Sequence, residues 1–358
     1  DCMGAPIRSE IWACIAPADP QRAAALASRD ALLDHAGGEG VHGEMFWAAV
    51  QSAAFVERDP MALIEIGLRM IPLSSDVARA IREVVFCRRH GLDWGEARHR
   101  MAVLFSNPTL GGRPLGGGTG CAHPCLAAPN HGFTVIGWLY GRDFGDCLCK
   151  AVNCGYDTDC TGATLGALLG ILHGAANLTE RWRAPVGDGI VMSPQTAACG
   201  APKDLHALTN RLVHLAGNWA GAGLTSVELG PEQTTSAADR SRLSRNREAL
   251  EILRGDDLHS AVESIDDLDI VLHYEGEPGL HPQLDKEIAV EVRCRGETVS
   301  KPRIVIDGPA DWQVEPRENH RFRLRAVRVL DRMPFRVSIH TGDREAEAVF
   351  MMLGPAEA

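Results

Sequence analysis

The spacing of the apolar residues changes near residue 260, and this change constrains the fold more than any other feature. Before it, apolar residues recur at helical intervals, as in Phe46, Ala49 and Val50. After it, short segments such as 288–292 and 335–339 alternate apolar and polar residues and are separated by turn residues. The sequence therefore predicts a multidomain protein, with an all-α part followed by a small all-β part.

Local signals divide the first part into successive helices. Asp19 and Asp59 each precede a proline, which is a favoured arrangement at the beginning of a helix. Ser75 can cap a helix over 76–90 that ends at a glycine. The stretch 106–130 is rich in glycine and has no apolar period, so we expect it to be loop, with helix resuming at His131.

The regular spacing of the strand-like segments is typical of an antiparallel β-sandwich. We expect an α-helical domain over 1–255, a linker over 256–264 and an Ig-like β-sandwich over 265–358. No group of chemically reactive residues stands out in the predicted sandwich.

The composition of the 358-residue chain excludes several classes of protein. Its formal net charge is −11 and its pI is about 5.7, so its surface repels phosphate backbones and we expect no nucleic-acid partner. No apolar run reaches the ~18 residues that a membrane-spanning helix needs, so we expect no membrane partner. The 11 cysteines are an odd number scattered through helical segments, which favours reduced thiols and a cytoplasmic location.

The segment 153–164 carries the strongest chemical signal. Asp157 and Asp159 lie in a turn directly before a helix rich in alanine and glycine, so both carboxylates can face one point. Two carboxylates with hydroxyl neighbours suit Mg²⁺ or Mn²⁺ better than Zn²⁺, which prefers His and Cys. The alternative is structural: Asp159 caps the helix and Asp157 forms an Asx-turn.

This segment resembles the metal-binding motif of the ADP-ribosylglycohydrolase family, in which an Asp-Thr-Asp supplies part of a site for two Mg²⁺ ions. Four other segments resemble the family in the same order along the chain: 4–8, 29–35, 43–50 and 182–188. The resemblance covers about residues 4 to 190 and implies that the helical domain is an orthogonal bundle of the ADP-ribosylglycohydrolase type.

The resemblance implies Mg²⁺-dependent hydrolysis of the glycosidic bond in an ADP-ribosylated protein or a small ADP-ribose conjugate, with release of ADP-ribose. It implies that Asp157 and Asp159 bind the metal. It also implies that Gly4, Arg8 and His35 contact the substrate.

Two departures from the family pattern support an alternative. The family's Thr-Asp-Asp motif and its upstream acidic residue do not precede Gly4, so we expect an N-terminal truncation, with the catalytic residue in the missing segment. Cys160 stands where the motif usually has Thr, and a thiol is a poor ligand for Mg²⁺. The alternative is a non-catalytic module that binds ADP-ribose or a nucleotide, with the sandwich contacting a partner.

Three weaker signals remain. Cys121 and Cys125, with His123 between them, could belong to a zinc site, but no second pair follows at zinc-finger spacing, and a plain loop is the favoured interpretation. The glycine run 116–120 lacks the Lys of a phosphate-binding loop, so we expect a surface loop near the pocket. His42, His123 and His131 are lone histidines and are expected to be structural or exposed.

Overall fold

The computed structural model describes the following residues: 2–35, 38–72, 75–105, 109–110, 113–114, 124–194, 199–227, 229–230, 235–243, 260–275, 279–282, 284–330, 332–342 and 344–353. The chain divides into two compact units. The first comprises 1–78 and 125–253, and the second comprises 79–124 and 254–358. The second unit is therefore built from two separate segments of the chain.

The predicted all-α part contains a series of mostly short helices. In chain order they are α1 (Ser9–Ile15), α2 (Pro20–Ala31), α3 (Glu39–Ala53), α4 (Pro60–Leu68), α5 (Asp76–Arg89), α6 (Trp94–Phe105), α7 (Ala127–Tyr140), α8 (Phe144–Asn153), α9 (Thr158–His173), α10 (Glu180–Arg183), α11 (Leu205–Gly221) and α12 (Ala237–Arg242). Among the described residues, no helix is both long enough and apolar enough to cross a lipid bilayer.

The predicted capping residues begin three of these helices. Asp19 and Asp59 each accept a hydrogen bond from the backbone N–H three residues further on, at 3.2 and 2.9 Å. Ser75 does the same at 3.1 Å. Each such bond satisfies a donor that the first turn of a helix leaves unpaired, which is worth about 1 kcal/mol.

Helix α3 lies at the centre of the first unit. Twelve of its fifteen residues are buried, and it packs against α1, α2, α4 and α7. Phe46 and Trp47 are completely buried in it, and burial of such side chains contributes roughly 1.5–3 kcal/mol each. The apolar face predicted from Phe46, Ala49 and Val50 is therefore only part of a helix that is buried on almost every side.

Helix α7 begins at Ala127, four residues before the predicted start at His131, so the expectation that the loop extends to residue 130 is wrong. Pro129 explains the difference, because a proline in the first turn of a helix needs no hydrogen-bonding N–H. The earlier start places Asn130 inside the helix, where it becomes important for the site.

The predicted all-β part contains antiparallel sheets. Its strands are β3 (Ser260–Ile265), β4 (Leu268–His273), β5 (Lys286–Cys294), β6 (Glu297–Thr298), β7 (Arg303–Asp307), β8 (Trp312–Pro316), β9 (Arg321–Ala326), β10 (Arg332–Thr341) and β11 (Arg344–Leu353). One sheet has the order β3-β4-β5-β9-β8 with β6 beside β5, and the other has the order β11-β10-β7. Earlier in the chain, β1 (Thr109–Leu110) pairs with β2 (Arg113–Pro114).

The predicted alternation is clearest in β5, where every second residue from Lys286 to Val292 is buried. Buried side chains from both sheets form one apolar cluster, which includes Ile288, Trp312 and Phe335. Antiparallel sheets are thus confirmed, while their packing as a sandwich and the orthogonal arrangement of the helices stay predictions. Strand β3 begins at Ser260, inside the predicted linker, and the earlier part of that linker lies outside the described residues.

Candidate metal centre

The turn before α9 is shaped by two residues with positive φ. Gly155 has a φ of 84° and Tyr156 a φ of 65°, a region that residues other than glycine rarely occupy. The turn ends at Asp157, whose backbone N–H donates to Oδ1 of Asn130 at 3.1 Å. Asn130 is completely buried in α7, so it fixes the start of α9 relative to the core.

Asp157 precedes α9 without capping it. Its side chain makes no capping hydrogen bond, and Asp159 already lies in the first turn of the helix. The structural alternative, in which Asp159 caps the helix, is therefore wrong. Both carboxylates remain available for other contacts, and the partial positive charge of the helix N-terminus favours their negative charge.

Asp157, Asp159 and Cys160 form a cluster of possible metal ligands. One ligand atom from each lies within 4.8 Å of the others. Asp157 is only 9 % exposed, whereas Asp159 is exposed and Cys160 is half-buried. A cation in this cluster would touch one buried carboxylate and one that faces solvent.

Two thiols adjoin the buried carboxylate. Asp157 lies close enough to the thiols of Cys160 and Cys125 to shift the pKa of both. Burial is the larger cause and the nearby carboxylate is the second, and together they raise the pKa of Cys160 to about 12 and also raise the pKa of Cys125. Both thiols are therefore protonated near neutral pH while no cation is bound.

Cys125 is held in place by the first residues of the chain. The N–H of Met3 donates to the carbonyl of Cys125 at 3.0 Å, and Cys2 forms an isolated β-bridge with Leu126. The partner of Cys125 in the possible zinc pair, Cys121, lies outside the described residues, as does His123. The glycine run 116–120 also lies outside them.

The donor chemistry of this cluster fits Mg²⁺ in part. Carboxylate oxygens are the ligands that Mg²⁺ prefers, so Asp157 and Asp159 suit it. Thiols are soft ligands, so Cys160 and Cys125 do not. The cluster thus offers two carboxylates that suit a hard cation and one thiol that does not.

Arg8 and His35 are both predicted to contact substrate, and both contact the carboxylate of Asp34. Arg8 donates through Nη1 to Oδ2 of Asp34 at 2.8 Å and to the carbonyl of Gly4 at 3.1 Å. Its Nε donates to Asp30 at 2.8 Å. These contacts occupy much of the guanidinium, and the Arg8 hydrogen bond, followed by that of His35, holds the pKa of Asp34 well below its usual range.

The imidazole of His35 is oriented from three sides. Its Nδ1 lies 2.7 Å from Oδ1 of Asp34, and a carboxylate can only accept, so Nδ1 carries the proton of that bond. A methyl group built on Gly4 would lie 3.2 Å from the ring, and one built on Gly40 would lie 2.4 Å from it. Only glycine at position 40 leaves room for this ring position.

A buried acid lies beneath Arg8. Glu44 is completely buried and accepts from Nε1 of Trp12 at 3.0 Å, with Arg8 at 3.8 Å. Burial, together with the nearby carboxylate of Asp30, raises the pKa of Glu44 to about 8. Glu44 is therefore largely protonated at neutral pH.

Sequence reasoning missed three residues that shape the site: Asp34, Asn130 and Cys125 as a neighbour of Asp157. Asn130 could have been recognised, since a polar amide in the apolar stretch 127–138 needs a buried partner.

Of the lone histidines, His131 is completely buried and bonded through Nδ1 to the carbonyl of Ala127 at 2.6 Å, which agrees with a structural role. His42 is half-buried, 3.9 Å from Glu39.

The comparison with protein families gives the same assignment as the sequence. The family model for ADP-ribosylglycohydrolases matches residues 1–222, which is more than half of the chain, and the chain belongs to that family. No curated protein and no solved structure matches the chain significantly. At the coarse level the family is one of hydrolases that act on ADP-ribosylated substrates, and the family is in general metal-dependent.

Proposed function

We propose that the first unit hydrolyses the glycosidic bond between ADP-ribose and a protein or small-molecule acceptor, in a reaction that depends on Mg²⁺. The observation that carries this proposal is the convergence of Asp157, Asp159 and Cys160 within 4.8 Å at the beginning of α9, in a chain of this family. Mn²⁺ has the same preference for oxygen ligands and could replace Mg²⁺.

In this proposal Asp157 and Asp159 hold the cation. A bound Mg²⁺ supplies positive charge that orients the ribose hydroxyls and a water molecule. The two carboxylates differ in exposure, so Asp157 would hold the ion from its buried side and Asp159 from the side that faces solvent.

The groups around His35 position the substrate. His35 directs Nδ1 to Asp34, which leaves Nε2 for the substrate, and Gly4 lies beside that nitrogen. Arg8 acts mainly by holding Asp34 and the carbonyl of Gly4 in place. This arrangement fixes the imidazole before substrate arrives, which lowers the entropy cost of binding.

The test is release of free ADP-ribose from an ADP-ribosylated substrate with Mg²⁺ present. We expect Asp157→Ala and a chelator to abolish release, and we expect Glu180→Ala to leave it unchanged. Glu180 is an exposed carboxylate of the same unit, in α10, and serves as the matched control. The assay uses the intact 358-residue chain.

The outcomes separate this proposal from the alternative of a binding module. Release that requires Asp157 and Mg²⁺ supports hydrolysis. Calorimetric binding of ADP-ribose without release would refute hydrolysis and support the module. A cytoplasmic location and a partner-binding role for the sheets stay predictions.

A further inference from the structure

Strand β7 lies at one end of its sheet. The order of that sheet is β11-β10-β7, so among the described residues β7 pairs with a strand on one side only. A strand in this position presents a row of backbone N–H and C=O groups with which another strand can pair. We propose that β7 is an interaction surface for a second copy of this chain, and that two β7 strands pair antiparallel about a two-fold axis.

The charges of β7 are complementary to those of its own copy in the antiparallel direction. The strand reads Arg303-Ile-Val-Ile-Asp307. When Val305 lies opposite Val305 of the second copy, each Arg303 lies opposite an Asp307. Opposite charges that face each other across paired strands stabilise the pairing, and like charges weaken it. The strand therefore has the self-complementary pattern that a closed two-fold dimer requires.

The two faces of β7 also fit this pairing. Arg303, Val305 and Asp307 are exposed, so they would lie together on the outer face of the joined sheet. Ile306 is buried in the apolar cluster of the second unit, and Ile304 is half-buried against the same cluster. Antiparallel pairing places Ile306 of the second copy beside Ile304, which removes more of the apolar surface of Ile304 from water.

The charges of Arg303 and Asp307 are available for such a contact. In the part of the chain that the structure describes, neither side chain forms an ion pair. Arg336 of β10 lies opposite Asp307 in the sheet, but it forms its ion pair with Glu347 of β11, at 3.7 Å. The nearest basic strand neighbour therefore leaves Asp307 free for a second copy.

The other strands that end the two sheets lack this complementarity. Strands β3 and β8 each carry one glutamate and no basic residue. Strand β11 carries two glutamates and Arg344, and Arg344 already pairs with Asp267 at 2.7 Å. Pairing any of these strands with its own copy would bring acids together without a free basic partner. The charge pattern thus selects β7.

Prolines limit the length of the proposed contact. Pro302 directly precedes β7, and Pro309 follows it after one glycine. Proline has no N–H and cannot donate to a ladder, so the pairing is confined to the five residues of each strand. Because the interface is small, we expect a reversible dimer with a dissociation constant between about 10 µM and about 1 mM.

The test is sedimentation equilibrium of the intact chain at concentrations up to about 1 mM, where an association of this strength is populated. We expect an equilibrium between monomer and dimer. Arg303→Asp places like charges opposite each other at both ends of the ladder and should raise the dissociation constant at least about tenfold, and Asp307→Arg should do the same. Glu263→Arg reverses an exposed charge on β3 and is the matched control, which should leave the constant unchanged.

A mixture of the two single variants distinguishes this pairing from other modes of association. In a dimer of one Arg303→Asp chain and one Asp307→Arg chain, opposite charges again face each other at both ends. The mixture should therefore associate like the unaltered chain, although neither variant does so alone. Circular dichroism and thermal unfolding check that each variant is folded.

Three results would overturn the proposal. The unaltered chain could remain monomeric over the whole concentration range, the single variants could associate as strongly as the unaltered chain, or the mixture of folded variants could fail to regain association. The measurement needs neither substrate nor metal, so its outcome is independent of the hydrolysis assay.

Discussion

The position of the His35 ring depends on the absence of a side chain at residue 40. In the substitution Gly40→Ala, the new methyl carbon would lie 2.4 Å from Cδ2 of His35 and 3.2 Å from the carbonyl oxygen of Cys2. Ordinary contacts begin near 3.4 Å. The carbonyl of Cys2 belongs to the backbone, so the new methyl group cannot be relieved on that side. The His35 ring must therefore move by about 1 Å.

This displacement is enough to break the bond that orients the ring. Nδ1 of His35 lies 2.7 Å from Asp34, and a shift of about 1 Å takes the pair beyond hydrogen-bonding distance. A hydrogen bond to a charged group contributes about 1.5–3 kcal/mol. Because 1.4 kcal/mol corresponds to tenfold in affinity, we expect Gly40→Ala to weaken ADP-ribose binding by roughly 10- to 100-fold.

The assay is calorimetric titration with ADP-ribose, with thermal unfolding as the measure of stability. Position 40 lies in α3, where Ala is favoured over Gly by up to ~1 kcal/mol, which offsets part of the lost hydrogen bond, so the net loss of stability should be only ~0.5–2 kcal/mol. Gly170→Ala is the matched control: nothing lies within 4 Å of its added methyl group, and it should stabilise α9 without affecting binding. Unchanged affinity in a folded Gly40→Ala protein would show that His35 does not contact ADP-ribose.

Three further predictions concern stability. Gly43→Ala places a methyl group 2.2 Å from Nε2 of the buried His131 and should destabilise the protein by ~1–3 kcal/mol in chemical denaturation. Glu44 has a pKa raised from 4.5 to about 8. Its contribution to the free energy of unfolding is therefore complete below pH 4.5 and is lost as the pH rises through about 8. Chemical denaturation across this pH range should show the free energy of unfolding falling by at most ~5 kcal/mol, and Glu44→Gln should reduce this fall. An equal pH dependence in both proteins would contradict the raised pKa of Glu44. Arg100→Leu removes the 2.6 Å ion pair with the buried Glu83 and should cost ~3–5 kcal/mol, whereas an unchanged denaturation midpoint would mean that solvent compensates Glu83.

Features that depend on neighbours in sequence were predictable. Asp19, Asp59 and Ser75 begin helices because a short polar side chain satisfies a backbone donor three residues away, whatever the rest of the fold does. The alternation in β5 was equally visible, since successive residues of a strand face opposite sides. The start of α7 was not predictable from periodicity, because the glycine-rich stretch 106–130 shows no apolar period, although Pro129 is tolerated in the first turn of a helix.

Contacts between distant residues could not be read from the sequence. Arg8 and Asp34 are 26 residues apart, and Asp157 and Asn130 are 27 apart, so their pairing depends on the path of the chain. The same holds for Cys125, whose thiol comes near Asp157 only after two helices have folded between them. The carboxylate pair could be predicted because its two members are only two residues apart in the sequence. Cys160 follows them directly and could be predicted too, whereas the proximity of Cys125 could not.

The division of the chain into two units determines which fragments of the protein contain whole units. Residues 79–124 and 254–358 form one unit, so the polypeptide passes between the units near 78, 124 and 253. A fragment that stops near residue 255, where the sequence changes character, would retain α6 but discard the sheets with which it is grouped. Truncation at that point would leave only residues 79–124 of the second unit, and a fragment with such an incomplete unit should aggregate or be degraded. Substitutions in the intact polypeptide are therefore a better test of each residue's role than truncation is.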